Sequence, residues 1–314
     1  MARSALCEDR FQNEDAAFAH VESVLWPNGP TCPHCGNADT TRIRKMEGKT
    51  TRRGLYNCRE CRKPFTVRQG TIFESSHLPL HLWLQVIHLM CASKKGISTN
   101  QIQRMLECSM KTAWFLTHRI REAMRNDSLA PLGGSGGPVE VDETYIGRRA
   151  GVEKKRGGGA HKNVVVTLVE RGGAARSFHL DSATKAEVMP VLRKNLAKKA
   201  RVMTDESGIY NGVKGEFSAH HMVDHSRKEW GYTDRKTGEK INTNTVEGFY
   251  SIFKRGMIGV YQHCSEQHLH RYLAEFDFRY SFRRKLGIED AERANIALWG
   301  AKGKRLTYET TTAK

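Results

Sequence analysis

Three acids stand out in a chain whose other signals are mostly basic or apolar. Asp142 lies in Val139-Glu140-Val141-Asp142-Glu143-Thr144-Tyr145-Ile146. Its alternation predicts a half-buried strand with Glu140, Asp142 and Thr144 on one face. Asp205 closes the short apolar run Arg201-Val202-Met203-Thr204, at the C-terminal end of a predicted strand, where α/β sheets present ligands. Glu247 lies in a segment from Asn244 to Arg255 that reads as helix. Lys254, two turns on, falls within about 20° of the same face, and Asn244 lies one turn before. Two strands and a helix that bring three carboxylates together could hold two Mg²⁺ ions, the arrangement suited to in-line phosphoryl displacement. Taken singly, each acid reads better as a cap or an ion-pair partner. Spacing does not separate them from the neighbouring Glu140, Glu143 and Glu206. His220, His221 and His225, between the second and third acids, read as surface or DNA-contacting groups, because Mg²⁺ favours oxygen; His225 is the one to test.

A second chemistry sits near the N-terminus. Cys32-Pro33-His34-Cys35 and Cys58-Arg59-Glu60-Cys61 are two tight CxxC turns, the ligand spacing of a tetrahedral Zn²⁺ site. Four thiolates leave no open position, so the zinc is structural. A redox dithiol is the alternative, but no thioredoxin-like βαβ pattern surrounds either pair. Tyr56 and Phe65 are the expected packing residues of this zinc ribbon. Its Arg42, Arg44, Lys45, Lys49, Arg52, Arg53, Arg59, Arg62 and Lys63 favour contact with DNA. Cys7, Cys91, Cys108 and Cys264 are scattered and read as small apolar residues.

With 51 Lys and Arg against 34 Asp and Glu, the net charge is +17 and the pI about 9.6. Such an excess points to a polyanionic partner, because docking cations release counterions from phosphates. The apolar runs fall short of the ~20 residues of a membrane span, and the first residues lack a signal-peptide core. A cytoplasmic, nucleoid-associated protein without a membrane partner is expected.

The elements that must position these groups follow from periodicity. Residues 1–30 are read as an N-terminal region whose helix, over 8–28, carries Phe11, Phe18, Val21, Val24 and Leu25. The zinc ribbon occupies 31–76. Residues 77–130 read as all-helical. Within them Ser98 caps a short helix to Leu106, a turn follows at Glu107–Met110, and Lys111 to Met124 form a second helix. This pair fits a helix-turn-helix, with Lys111, Thr112, His118, Arg119 and Arg121 on its polar side and Lys111, Thr112 and Arg119 as the expected DNA contacts; a purely structural helical hairpin is the alternative. The Gly- and Ser-rich stretch 131–138 reads as a linker. Beyond it, strands at Val139–Ile146, Val164–Val169 and Arg176–Leu180, a helix at Lys185–Lys199, a fourth strand at Arg201–Asp205 and helices over 243–257 and 265–285 make an α/β domain with a mixed sheet, over 139–290. Residues 291–314 read as a tail. Gly157-Gly158-Gly159, between Lys154-Lys155-Arg156 and Lys162, reads equally as a phosphate-tracking loop and as a solvated one.

In this order of parts the chain resembles bacterial insertion-sequence transposases of the DDE type with an ISXO-like catalytic domain. The matching stretches are the two cysteine pairs, Val141-Asp142-Glu143-Thr144-Tyr145-Ile146-Gly147, Thr204-Asp205-Glu206, Asn244-Thr245-Val246-Glu247-Gly248-Phe249 on to Phe253-Lys254-Arg255-Gly256, and Tyr261-Gln262-His263 through His268-Leu269-His270-Arg271-Tyr272 to Glu275-Phe276-Asp277-Phe278-Arg279-Tyr280. The resemblance implies an RNase H-like core in which Asp142, Asp205 and Glu247 bind catalytic Mg²⁺, with Lys254, and Arg255 beside it, contacting DNA near the cut. It implies inverted-repeat ends of a mobile element as substrate, cleaved by water and then joined to target DNA, by a homodimer or larger assembly that pairs two ends. Related groups place Asn in the third role, which leaves Asn244 as a competitor of Glu247. Asn242 stands where the family suggests His, and Ser281-Phe282 where it suggests Asn-Asn. A nuclease of the same fold that does not join, and a non-enzymatic zinc-ribbon regulator, are the competing readings.

Overall fold

A computed structural model describes residues 4–125, 130–154, 159–235 and 237–307. Lys155, Arg156, Gly157 and Gly158 of the basic glycine loop lie outside the described residues. The chain divides into two compact units. One comprises Met1–Ser93, Ile97–Arg125 and Glu289–Lys314, the other Lys94–Gly96 and Asn126–Ile288.

The first unit opens with α1 (Asp9–Gln12) and α2 (Glu14–Leu25). The single helix expected here is split at Asn13. Its backbone is extended, and its side chain accepts the amides of Asp15 and Ala16, so it caps α2 and ends α1. Strands β1 (Ile43–Lys45), β2 (Tyr56–Cys58) and β3 (Pro64–Phe65) form an antiparallel sheet in the order β1-β2-β3. Helices α3 (Leu80–Ala92), α4 (Thr99–Leu106) and α5 (Met110–Met124) follow. Ser98 makes a full capping box with Gln101, and Glu107 ends α4 in the left-handed region, as the turn between the two helices requires.

The second unit is built on a five-stranded sheet. Its members are β4 (Pro138–Ile146), β5 (Asn163–Glu170), β6 (Ala175–Leu180), β7 (Arg201–Asp205) and β8 (Ala219–Val223), in the order β6-β5-β4-β7-β8. The first three strands run antiparallel, and β7 and β8 join β4 in parallel, so the mixed sheet expected of an RNase H-like core is present. Helix α6 (Lys185–Asn195) connects β6 to β7, and its Val188, Met189 and Leu192 bury against Val139, Val141 and Val202 on one face of the sheet. A short hairpin, β9 (Tyr232–Thr233) with β10 (Lys240–Ile241), precedes α7 (Asn244–Gly256) and α8 (Leu269–Ser281). Val246, Phe249, Tyr250 and Phe253 of α7 and Leu273 and Phe276 of α8 pack on the opposite face, against Ile146, Val165 and Val169.

Two sequence expectations change here. Residues 131–138 pack rather than link. Leu132 is buried, its amide donates to the Asn195 carbonyl and its carbonyl accepts from Ala197. A Cβ at Gly133 would come within 2.4 Å of the Ala200 side chain, so the glycine serves close approach of backbone rather than flexibility. Residues 291–314 are not simply a tail, since α9 (Asp290–Trp299) packs against α2, α3 and α5 of the first unit. The guanidinium of Arg293 bonds the Cys91 carbonyl there.

Candidate active site and metal centre

The register of β4 with β7 pairs Glu140 with Met203. Continued by two residues, it places Asp142, in the middle of β4, beside Asp205, the last residue of the neighbouring parallel strand β7. Even positions of β4 face α7, since Ile146 packs in its core while Val139 and Val141 pack with α6. Asp142 therefore shares the α7 face with Asp205, and Glu247 arrives on α7 itself. Burial, then the charges of Glu143, Asp205 and Glu247, push the Asp142 carboxyl up to about 7. Burial also raises Asp205. Neither aspartate has an ion pair with a basic side chain among the described residues. Hard oxygen donors that repel one another and have no such partner fit a divalent cation. The three acids are not drawn into a closed cage; among the described residues the one His, Cys, Asp or Glu group with mutual metal-ligand spacing is the four cysteines.

Glu247 is exposed and has partners of its own. Thr243 donates its hydroxyl to Oε1 at 2.8 Å, and His225 Nε2 lies 3.8 Å from the same oxygen. The His225 ring also faces Trp230, with centroids 5.3 Å apart. The structure thus brings His225 to the third acid, whereas His220 bonds Thr204 within the sheet. Lys254 and Arg255 are exposed near the other end of α7, where Arg255 Nε bonds the Ser251 carbonyl. Asn244 is the exposed first residue of the helix.

The three acids that spacing left open are sorted by their partners. Glu143 points to the α6 side, where Tyr210 donates to it at 2.7 Å. Glu206 accepts the amides of His225 and Ser226 and shapes the turn that carries His225. Glu140, on the same face as Asp142, is fully buried. It accepts the Thr245 amide at 2.7 Å, the Val246 amide at 3.0 Å, the Thr245 hydroxyl at 2.7 Å and Arg171 Nε at 2.5 Å. The remaining guanidinium nitrogens of Arg171 bond the Lys240 carbonyl and the carbonyl and side chain of Asn242. The departure at Asn242 thus supplies an acceptor for Arg171. The departure at Ser281 accepts the Ala175 amide and pins the end of α8 to β6.

In the other unit the four cysteines converge. Cys32 Sγ lies 3.6 Å from Cys61 Sγ, and Cys35 Sγ 3.7 Å from Cys58 Sγ, with all four sulfurs within 4.8 Å of one another. Sulfurs around a tetrahedral zinc, at ~2.3 Å from the metal, stand about 3.8 Å apart, so the donor set fits. Amide donors from Cys61 and then Glu60, together with the Asn37 side chain, hold the Cys58 thiol down at about 6. Tyr56 and Phe65 stack at 5.7 Å with Trp26 edge-on to both, which makes the expected core. All nine basic residues of the ribbon are exposed.

Two transposase families match this chain: the ISXO2-like transposase domain over residues 134–281, and the transposase zinc-ribbon domain over residues 12–64. The chain thus carries an ISXO2-like transposase domain behind a transposase zinc ribbon. It is also similar to a protein in the transposable element ISH50 of Halobacterium salinarum, itself described as uncharacterized. That protein is 26% identical over 298 residues, which cover 89% of this chain and 95% of the relative.

In this transposase, not every side chain expected on DNA is available to it. Lys111 and Thr112 are exposed on the first turn of α5. Arg119 is a correction, because the residue is 5% exposed and its guanidinium is engaged by backbone carbonyls. Nη1 bonds the carbonyls of Ile72 and Glu74, and Nε that of Leu306. His118 and Arg121 are buried as well, so the polar side of α5 shrinks to its N-terminal turn. The sequence reading missed Arg171, Thr243, Tyr210 and Tyr250 as supports of the acidic face. No local pattern marks Arg171, Tyr210 and Tyr250, since each acts on an element distant in the chain, whereas Thr243 reaches Glu247 only four residues on. No helix among the described residues is long and apolar enough to cross a membrane.

Proposed function

We propose that this transposase binds the inverted-repeat ends of its mobile element, cleaves them in a Mg²⁺-dependent reaction and joins the freed ends to target DNA. The observation that carries this reading is the shared face of Asp142 and Asp205, with the Glu247 helix packed over it, in a chain with a transposase domain. Asp142, Asp205 and Glu247 would hold two Mg²⁺ ions. When bound, these supply charge to the attacking and leaving oxygens of an in-line displacement. Glu247 is kept in place by Thr243 and His225. Lys254 and Arg255 extend the same helix toward the DNA backbone, and Lys111, Thr112 and the basic ribbon hold the terminal repeat, with the cysteine-bound Zn²⁺ as a structural ion.

Water attacks a phosphodiester at each end, leaving a 3′-OH on the element and a 5′-phosphate on the flank. The 3′-OH then attacks a target phosphodiester, and one target strand leaves with its own 3′-OH. Two ends must be paired, so the working assembly is a homodimer or larger, acting in the cytoplasm on the nucleoid. The division of labour follows the chain: residues 31–76 and 77–130 for end recognition, 139–290 for chemistry.

The test is incubation of the purified protein with Mg²⁺ and labelled DNA carrying the element's own ends, beside Asp142→Ala. Nicking and joining by the wild type alone support the reading. Cleavage without joined product leaves a nuclease, and binding without cleavage in Mg²⁺ or Mn²⁺ leaves a DNA-binding regulator.

A further inference from the structure

Glu140 lies two residues before Asp142, on the same face of the same strand, yet its chemistry is already spent. A fully buried carboxylate with four donors on its two oxygens has little capacity left for a cation. Those donors define what it does. The first amides of a helix have no partner within the helix, and the N-cap side chain normally accepts them. The N-cap of α7 is Thr243, which makes no such bond. Its hydroxyl is turned to Glu247 instead. The amides of Thr245 and Val246 are taken by Glu140, a carboxylate from the central strand, where the helix dipole favours a negative charge. Arg171 bonds that carboxylate and also the Lys240 and Asn242 carbonyls, so it fixes the segment leading into the helix as well.

One turn further along, a second fastening follows. The Tyr250 hydroxyl donates to the carbonyl of Asp142 itself at 2.6 Å. Glu247 stands between the two fastenings. The helix bearing the third acid is thus bolted to the strand bearing the first, on both sides of that acid.

We infer that Glu140, held by Arg171, is a positioning residue that sets the placement of Glu247 against Asp142 by capping α7 from the catalytic strand. The inference rests on the reading of Asp142, Asp205 and Glu247 as the metal site. It assigns Glu140 no contact with metal or DNA. Its loss leaves the three acids in place along the chain while loosening the distance between them.

The experiment uses the full-length, zinc-loaded protein and Mn²⁺ as probe, with free Mn²⁺ followed by electron paramagnetic resonance and backbone amide exchange followed by mass spectrometry. In Glu140→Gln the amide NH₂ faces donors where an acceptor stood. Supporting groups of this kind are worth roughly 10- to 100-fold in metal affinity or activity. The expected result is Mn²⁺ affinity weakened about 10-fold, faster exchange at Thr245 and Val246, and unchanged binding of the element ends. Thr245→Val removes only the hydroxyl donor, one of four, and should weaken Mn²⁺ about 3-fold, below the range for loss of a whole supporting group; it carries the test if Glu140→Gln does not fold. The control is Asp277→Asn, a half-buried carboxylate that ties α8 to β6 through Ser177. It should lower the melting temperature without moving Mn²⁺ affinity. Wild-type Mn²⁺ affinity in both Glu140→Gln and Thr245→Val overturns the positioning role alone. Mn²⁺ binding by the wild type no tighter than by Asp142→Asn overturns the metal-site reading, and the positioning role with it.

Discussion

Asp142→Asn should make the metal-free protein more stable above neutral pH, although it removes a residue proposed for catalysis. The ordinary carboxyl value is 3.8, and burial with the charges of Glu143, Asp205 and Glu247 lifts Asp142 to about 7. Between these values the folded state keeps a proton that the unfolded chain has released. Stability therefore falls as pH rises through this window, by about 1.4 kcal/mol per pH unit. Over the whole gap the ceiling is about 4 kcal/mol at pH 8, against about 1.5 kcal/mol at pH 5. Solvent at the rim of the site and relaxation of the neighbouring acids lower both figures, so a gain of about 2–4 kcal/mol at pH 8 and about 1 kcal/mol at pH 5 is expected for the variant. The asparagine preserves the one hydrogen bond that Asp142 Oδ1 accepts, from the Glu143 amide at 2.8 Å. The assay is urea denaturation followed by circular dichroism in Mg²⁺-free buffer that retains the zinc. Adding Mg²⁺ should then stabilise the wild type more than the variant, because only a state that binds the ion is favoured by it. Equal stabilisation at the two pH values, or a loss at pH 8, would refute the picture of a buried, mutually repelling acidic face.

Three further outcomes follow from the same contacts. Cys58→Ser should abolish the one equivalent of zinc expected at the four cysteines in a metal-release assay and change the fluorescence of Trp26, which packs on Tyr56 and Phe65; zinc retained at full stoichiometry would contradict the four-thiolate site. Arg119→Ala should cost about 2–4 kcal/mol in thermal melts of the first unit, because three backbone carbonyls lose their donors; an unchanged melt with weakened DNA binding would restore the contact role. Tyr250→Phe should cost about 1–2 kcal/mol and leave the Asp142 carbonyl without its hydroxyl donor, and denaturation curves superimposing on the wild type would show that bond to be idle.

The departures from the sequence reading share a cause. Alternation placed Asp142 on one face of its strand, and the Val164–Val169 run marked a buried strand correctly, because strand patterning is a local property. The CxxC spacing was equally legible, since two thiols three residues apart span one tight turn whatever surrounds them. By contrast, Arg119 looked like one more basic residue on a polar helix side. Its burial depends on the Ile72 and Glu74 carbonyls and on Leu306, which reaches it from the far end of the chain. The glycines of 131–138 read as flexible, but at Gly133 the missing Cβ makes room for Ala200.

What the sequence determined by itself, then, was the chemical inventory: four thiols at zinc-binding spacing, three acids in strand, strand and helix, a basic surface, and motifs long enough to carry a resemblance to transposases. The tertiary structure decided which of the equivalent-looking acids does what. Glu140, Asp142 and Glu143 are near neighbours of one chemical type on one strand. Strand alternation sends Glu143 to Tyr210 on the other face, and the packing of α7 covers Glu140 with amides. That leaves Asp142 beside Asp205 with no cationic partner among the described residues. A carboxylate's role is set by the donors that reach it, and those donors come from segments that sequence order keeps far apart.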